Sequence, residues 1–210
     1  MKQLYIVGAG GFGREVFNWL EDLEANGNEW EVIGFLDDDS TALDGFNYPK
    51  SVVGGIGDHK PEPNNVYVCG IGSQSHKRTV CEALKSKGAN FISVVHPSAK
   101  IGRNVKLGSG VVLCPRVTLT CDIEVGSMSM INCHTSVGHD AKIEDWVTIS
   151  AHCDLTGHTR VGEGAFLGSG SRLIPGTKVG AGAIVGAGSV VIRKVPEGVS
   201  VFGNPARIFN

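Results

Sequence analysis

The sequence predicts two domains of different classes, a small α/β domain followed by an all-β solenoid. An aliphatic residue returns at every sixth position from Val95 to Val191, 17 times without a break. Before Val95, short apolar runs alternate with segments of helical spacing. Neither a helix nor a strand generates a period of six. We therefore expect one domain over residues 1–94 and a second over residues 95–210.

The first domain opens with the order strand, glycine loop and helix. The apolar run 4–7 leads into Gly8-Ala9-Gly10-Gly11-Phe12-Gly13, and apolar residues at helical spacing follow from Val16 to Leu23. In this context a GxGxxG loop favours nucleotide binding. Its glycines allow close backbone approach, and the N–H groups at the start of the helix attract phosphate. The alternative is a loop that only makes a tight turn.

Two further strands complete the prediction for this domain. The strand over 31–36 ends at Asp37 and Asp38, whose carboxylates could accept hydrogen bonds from a ribose or a base. The strand over 66–69 leads into Gly70-Ile71-Gly72 and a second helix. Three strands and two helices are too few for a complete dinucleotide fold. We expect a Rossmann-like unit that binds one nucleotide, with the diphosphate at the glycine loop.

The period of six is typical of hexapeptide repeats, in which each hexad contributes one short strand and a turn. Three hexads make one coil of a left-handed parallel β-helix, so residues 18 apart stack on the same face. Glycine recurs directly after the aliphatic position, and we expect positive φ angles there because tight turns favour glycine. These glycines are Gly102, Gly108, Gly126, Gly138, Gly162, Gly168, Gly180 and Gly186.

Polar residues are most informative between residues 131 and 160, which contain four of the seven histidines. The 18-residue rule places His134 under His152 and Asp140 under His158. His139 occupies an outward-pointing hexad position beside Asp140, and an imidazole with a neighbouring carboxylate is a candidate general base. For the other three histidines the alternative is a solvated turn.

Other chemistry at these residues has weaker support. A metal site of the kind found in hexapeptide carbonic anhydrases would need a third ligand two coils before His134 and His139. Ser98 and Arg103 stand there, so we expect no metal. Cys133 could face outward as a nucleophile, but nothing in its sequence neighbourhood would strongly lower the pKa of its thiol.

Composition and the chain ends narrow the class of protein. A net charge of −2 gives no support for a nucleic-acid partner. No apolar run of about 18 residues and no signal peptide is present, so we expect a cytoplasmic protein with free cysteines. Near the C-terminus, Lys194 and Arg207 form a positive cluster suited to a phosphorylated ligand.

The sequence as a whole resembles a known family. The opening GAGGFGREV, the segment FLDD, the segment 95–99 (VHPSA), the His139-Asp140 pair and the closing GNPA-R are similar to those of nucleotide-aminosugar N-acetyltransferases. These group with the sialic-acid O-acetyltransferase-like sugar acyltransferases. The resemblance implies transfer of acetyl from acetyl-CoA to the amine of a nucleotide-linked 4-amino-4,6-dideoxy sugar for a bacterial surface glycan. It also implies a homotrimer with active sites between neighbouring β-helices.

The resemblance further implies roles for individual residues. His139 would be the general base, Asp140 would orient it, and a backbone N–H near Gly157 would stabilise the oxyanion. Acetyl-CoA would lie against Thr148, Gly157, Gly186, Ala187, Lys194 and Arg207. The nucleotide sugar would lie against Gly10, Gly11, Phe12, Gly13, Asp37, Asp38, Gly72, Lys77 and Asn132. Phe12 and Thr148 stand where some relatives carry histidine, so the contacts there are altered.

Two other functions remain open at this stage. One is O-acetylation of a sialic-acid-type sugar, which would use the same fold and the same base. The other is a non-catalytic scaffold that binds nucleotide sugars, against which both His139 and Asp140 count. The identity of the base, whether uracil, thymine or guanine, is also open.

Overall fold

The computed structural model describes residues 1–24 and 29–209. The backbone divides into two compact units, Met1–Val94 and Val95–Asn210. Together they have the predicted fold class, a small Rossmann-like domain followed by a β-helix of hexapeptide repeats. Within the described ranges, no helix combines the length and the apolar character that crossing a membrane requires.

The first unit is a parallel sheet of four strands in the order β3-β2-β1-β4, with two helices. Its elements are β1 (Lys2–Val7), α1 (Gly11–Glu24), β2 (Trp30–Leu36), β3 (Val52–Gly54), β4 (Asn65–Cys69) and α2 (Gln74–Ser86). The short edge strand β3 was not predicted. The order reverses at β1, because β2 and β4 lie on its two sides. In sheets of this kind the crevice at such a reversal is the usual ligand site.

Close packing of α1 against the sheet depends on one glycine. Val16, Phe17 and Leu20 of α1 are buried, as the helical spacing predicted. A Cβ at Gly13 would collide with the carbonyl oxygen of Gly8, so only glycine allows the helix to start this close to the end of β1. Gly13 therefore has a structural role.

The second unit is a β-helix with three flat faces. Its strands are Val94–Val95 (β5), Lys100–Ile101 (β6), Lys106–Leu107 (β7), Val112–Leu113 (β8), Thr118–Leu119 (β9), Glu124–Val125 (β10), Met130–Ile131 (β11), Ser136–Val137 (β12), Lys142–Ile143 (β13), Thr148–Ile149 (β14), Asp154–Leu155 (β15), Arg160–Val161 (β16), Phe166–Leu167 (β17), Arg172–Leu173 (β18), Lys178–Val179 (β19), Ile184–Val185 (β20), Val190–Val191 (β21), Ser200–Phe202 (β22) and Arg207–Ile208 (β23). From β5 to β21 every third strand joins the same parallel sheet, in registers such as Ile131 with Ile149. The last two strands depart from this order, because β22 pairs with β20 and β23 pairs antiparallel with β22. The 18-residue stacking rule is confirmed.

The aliphatic column forms the core of the β-helix. From Leu113 to Val191 every predicted position is buried, whereas Ile101 in the first coil is 42% exposed. The first coil has a neighbouring coil on only one side, and the stack supplies most of the burial.

The predicted role of the repeated glycines was wrong. Positive φ angles fall at the fourth hexad position, as at His134 (60°) and Asp140 (58°), and not at the second position where these glycines stand. At these glycines the next turn of the chain leaves no space for a side chain. A Cβ at Gly138 would lie 2.6 Å from the backbone nitrogen of Gly157.

Candidate active site

One corner of the β-helix carries His139, and we call it the base corner. It consists of residues 121–122, 139–140, 157–158 and 175–176 in successive coils. Backbone bonds join these turns, including His158 N–H to His139 O at 2.8 Å and Gly176 N–H to Gly157 O at 2.9 Å. A shorter turn at 192–194 ends the same corner, because Val191 pairs with Leu173 and Val195 with Val179.

The side chains of His139 and Asp140 form the predicted pair. His139 Nδ1 lies 2.8 Å from Asp140 Oδ2, and both side chains are about half exposed. A carboxylate only accepts hydrogen bonds, so Nδ1 carries the proton in this contact and Nε2 keeps its lone pair. A Cβ at position 157 would lie 2.6 Å from Nε2, so Gly157 is what leaves this atom room.

His158 and Asp122 add two groups around this pair. The His158 ring packs edge-on against His139, with centroids 5.0 Å apart, and its Nδ1 lies 3.8 Å from Asp140 Oδ2. The predicted stacking of Asp140 and His158 is thus confirmed. One coil below, hydrogen bonds from the side chains of Asn104 and Cys121 lower the pKa of Asp122. Asp122 was not predicted, although 18-residue spacing places it under Asp140.

A second corner carries the other two histidines, and we call it the paired-histidine corner. His134 and His152 stack with parallel rings, 4.8 Å between centroids and 5° between planes, as predicted. Asn132 lies at the same corner and is half-buried, with its Oδ1 accepting a hydrogen bond from Cys133 N–H at 2.6 Å. Within the described residues, no ion pair with a carboxylate involves either ring.

The residues expected along acetyl-CoA divide between these corners. Gly157 and Lys194 lie at the base corner, whereas Gly186 and Ala187 lie at the paired-histidine corner, two coils above Ser150 and Ala151. Thr148 contradicts the expectation of a ligand contact, because it is 1% exposed within β14. Its side chain offers nothing to a ligand on the surface of this chain.

A basic cavity lies at the C-terminal end of the β-helix. It measures about 350 Å³, and Arg193, Lys194 and Arg207 line it together with apolar residues. Arg193 was not among the predicted residues. A spacing argument could have found it, because position 193 lies three coils of 18 residues after His139.

The first unit contains a cavity of about 650 Å³ at the carboxyl ends of β1, β2 and β4. This is the side of the sheet where the strand order reverses. The cavity is lined by Gly8, Gly10, Gly11, Phe12, Asp37, Asp38, Asp39, Ile56, Gly70, Ile71, Gly72 and His76. Six of the residues expected to surround a nucleotide are among them. Asp39, Ile56 and His76 were not predicted.

Lys77 does not reach this cavity, contrary to the prediction. Its side chain is 2% exposed on the inner side of α2. Burial lowers the pKa of its ammonium group. Successive residues of a helix point about 100° apart, so His76 faces the cavity where Lys77 cannot.

Family models match both units. Residues 3–84 match the PglD N-terminal domain, and residues 158–193 match the bacterial transferase hexapeptide model with six repeats. The fold and these matches define a hexapeptide-repeat transferase with a PglD-type N-terminal domain.

Solved structures extend the likeness to the whole chain. PerB from Caulobacter crescentus, in complex with CoA and GDP-perosamine, is 31% identical with a TM-score of 0.87, covering 100% of this chain and 98% of its own. The acetyltransferase domain of PglB from Neisseria gonorrhoeae is 27% identical with a TM-score of 0.89, and both chains are covered completely. The chain therefore belongs to the nucleotide-aminosugar N-acetyltransferase family of hexapeptide-repeat acyltransferases.

Two curated relatives match over shorter segments. The GDP-perosamine N-acetyltransferase of Escherichia coli is 29% identical over 149 residues, 69% of this chain and 66% of its own length. The UDP-N-acetylbacillosamine N-acetyltransferase of Bacillus subtilis is 31% identical over 120 residues, 54% of this chain and 51% of its own length. In both relatives the matched segment spans less than two thirds of the protein.

Proposed function

We propose that this protein transfers the acetyl group of acetyl-CoA to the amine of a nucleotide-linked 4-amino-4,6-dideoxy sugar, in the synthesis of a bacterial surface glycan. The observation that carries the proposal is the base corner, where Asp140 fixes the proton on His139 Nδ1 and Gly157 leaves Nε2 accessible. The two curated relatives, a GDP-perosamine N-acetyltransferase and a UDP-N-acetylbacillosamine N-acetyltransferase, support the substrate class.

The proposed reaction is direct transfer between the two bound substrates. The sugar amine attacks the thioester carbonyl and forms a C–N bond, while His139 Nε2 accepts a proton from the nitrogen. The tetrahedral intermediate then loses CoA as its thiolate, and the proton held by His139 passes to that sulfur. Asp140 stabilises the imidazolium between these steps. A backbone N–H near Gly157 stabilises the oxyanion.

The base corner also suits the length and chemistry of CoA. In the coils above His139, Ile174 and Ile192 lie beside the base corner, and each is about 40% exposed. Arg193 and Lys194 follow directly after Ile192. Coils repeat about every 4.8 Å, so these cations lie roughly 14 Å above the base. We propose that the pantetheine arm follows the isoleucines and that the phosphates bind Arg193, Lys194 and Arg207.

We propose a homotrimer in which each active site lies between two β-helices. Asn132, Gly186 and Ala187 lie at a different corner of the coil from His139, so one chain cannot bring all of them to one substrate. A second copy could supply its paired-histidine corner opposite the base corner of the first. Light scattering should then give about 66 kDa, three times the chain mass of 22.1 kDa.

The remaining assignments concern the first unit and the place of reaction. We propose that residues 1–94 bind the nucleotide of the acceptor sugar in the cavity between Gly10, Asp38 and Gly72. Acetyl-CoA and nucleotide sugars are cytoplasmic metabolites, so we propose that the protein acts in the cytoplasm.

The test is release of thiol from acetyl-CoA in the presence of GDP-, UDP- and dTDP-linked 4-amino sugars, with GDP-perosamine first. We expect rapid release with one amino sugar. His139→Ala should lower kcat by about 10²- to 10⁴-fold, the usual contribution of a general base. The comparison variant is His152→Ala, which removes an exposed imidazole at a corner without a paired carboxylate and should lower kcat less than His139→Ala does.

The outcomes separate the reaction from the residue assignment. No release with any amino sugar, but release with the corresponding hydroxy sugars, would replace N-acetylation by O-acetylation. Full activity in His139→Ala would keep the reaction and reject His139 as the base. Equal losses in His139→Ala and His152→Ala would reject the distinction between the two corners.

A further inference from the structure

The cavity of the first unit has an uneven distribution of charge. The carboxylates of Asp37, Asp38 and Asp39 all line it, following the end of β2. Among the residues that line it, only His76 has a side chain that can carry a positive charge. Arg14, in the adjacent helix, stacks instead over the Phe46 ring at 3.6 Å.

The carboxylates hold the walls of the cavity in place. Asp37 Oδ2 accepts a hydrogen bond from Ala9 N–H at 2.7 Å, and Asp38 Oδ1 accepts one from Ile56 N–H at 2.8 Å. These bonds fix the glycine loop and the segment after β3, but they leave the carboxylates negatively charged. A diphosphate carries negative charge itself, so it is repelled from this side of the cavity.

The other side of the cavity offers hydrogen-bond donors. Helix α1 begins after Gly10, which has no side chain to cap it, and Ser73 makes no side-chain capping bond at the start of α2. The first N–H groups of a helix have no partner within the helix and attract phosphate. His76 lies in the first turn of α2 and is exposed, and its imidazole makes no hydrogen bond or ion pair within the described residues.

We infer that His76 binds the diphosphate of the nucleotide sugar, with the nucleoside directed toward Asp37, Asp38 and Asp39. This inference rests on the proposed function, because that function supplies the nucleotide sugar. It places His76, and not the buried Lys77, among the residues that contact the nucleotide sugar. A charge-assisted hydrogen bond from an imidazole to a phosphate oxygen should change affinity by about tenfold or more.

The test compares ligands that differ only in the phosphates. Calorimetric titrations with GDP and guanosine, and with UDP and uridine, are made on the full chain without acetyl-CoA. His76→Ala removes the imidazole, and His76→Lys restores a cation at the same position. The matched control is Arg78→Ala, which removes a positive charge from α2 two residues later, where the guanidinium pairs with Glu82 at 2.9 Å.

We expect His76→Ala to bind the preferred nucleoside diphosphate about tenfold more weakly and the nucleoside within twofold of the parent protein. His76→Lys should recover most of the loss, and Arg78→Ala should bind both ligands within twofold. Equal weakening of nucleoside and diphosphate would overturn the inference, because it would indicate a disturbed cavity. Unchanged diphosphate binding in His76→Ala, or no nucleotide binding by the parent protein, would also overturn it.

These measurements are independent of acetyl transfer. A protein that shows the expected pattern but acetylates no amino sugar would refute the proposed reaction and leave the assignment of His76 in place. A protein that acetylates an amino sugar but shows no phosphate-specific loss in His76→Ala would support the proposed reaction and refute the assignment of His76.

Discussion

The two histidine corners of the β-helix have the same backbone and different chemistry. His134, His152, Asp140 and His158 all occupy the fourth hexad position, with φ between 58° and 60°. At the paired-histidine corner this geometry stacks two parallel rings. At the base corner a carboxylate occupies the equivalent place and binds the imidazole of the preceding residue.

The comparison shows how a repeat fold acquires a site. The hexad period fixes where each side chain lies and how far it is from the residue 18 positions away. It does not fix protonation or access. At the base corner, Asp140 sets the proton on His139 and Gly157 opens space at Nε2, whereas Ala151 stands at the position equivalent to Gly157 above Cys133.

The largest effect is expected from Gly157→Ala, which gives the base corner the residue found at the equivalent position of the paired-histidine corner. Ala151 shows that the backbone at this hexad position accepts a Cβ, so the cost should come from contact with His139 Nε2 at 2.6 Å. We expect kcat to fall about 100-fold, since the base must be displaced by a fraction of an ångström or more. The melting temperature should change by only a few degrees.

Steady-state kinetics and a thermal melt of Gly157→Ala check this prediction. Ala181→Gly, the reverse change at the same hexad position of the third corner, serves as the control for the backbone. A kcat within threefold of the parent protein would mean that Nε2 is not the atom that faces the substrate.

Asp140→Asn should have the next largest effect. An asparagine tolerates the positive φ of 58° at this position but cannot accept and stabilise an imidazolium charge as a carboxylate does. It can also present its NH₂ group to Nδ1, which favours the wrong tautomer of His139. We expect kcat to fall about 10- to 100-fold, measured at saturating acetyl-CoA and amino sugar.

Asp122→Asn is the matched control, because it removes a carboxylate one coil below in the same corner. It should lower kcat several-fold less than Asp140→Asn does. Equal effects would mean that the combined negative charge of Asp122 and Asp140, and not the hydrogen bond of Asp140 to His139 Nδ1, supports the base.

The sequence predicts the β-helix better than the cavity of the first unit, for a physical reason. In the β-helix every coil repeats the one before, so a period read from Val95 to Val191 determines which side chains stack. The helix α2 has no such repeat against which a position can be checked. The sequence therefore pointed to Lys77 as a contact, whereas His76, one residue earlier, lines the cavity. Contacts between coils are also not local in sequence, so the lack of space at Gly138 and its equivalents could not be read from it. For this reason positive φ angles were predicted at these glycines and not at residues such as His134, where they occur.

The burial of Thr148 was missed although the sequence carries a signal for it. The period of six places Thr148 at the start of a strand, and at the equivalent positions of the adjacent strands Lys142 and Asp154 are exposed. The period of 18 separates the faces, and on this face Met130 and Val112, one and two coils before Thr148, are apolar and buried. The burial of a single polar residue therefore has to be read from the residues 18 positions away and not from its neighbours in sequence.

The upper ends of the corners provide a third test. The base corner ends in Arg193 and Lys194, whereas the paired-histidine corner passes through Gly170 and Gly188 and carries no cation at those positions. Arg193→Gln should raise KM for acetyl-CoA about tenfold and leave KM for the amino sugar unchanged, because it removes a charge-assisted bond to a phosphate.

Acetyl-pantetheine, which lacks the nucleotide of CoA, provides the control substrate for this variant. If Arg193 contacts the phosphates, Arg193→Gln and the parent protein should use acetyl-pantetheine equally well. A loss of the same size with both donors would place Arg193 outside the phosphate site.

The smallest effect is expected at His158, because the equivalent position of the paired-histidine corner, His152, is also a histidine. His158 Nδ1 lies 3.8 Å from Asp140 Oδ2, too far for a hydrogen bond and near enough for electrostatic interaction. His158→Gln should lower kcat by about two- to fivefold, because it removes the ring that packs edge-on against His139, with centroids 5.0 Å apart, and so leaves the base less well positioned. A kcat equal to that of the parent protein would mean that this ring contact does not help to position His139.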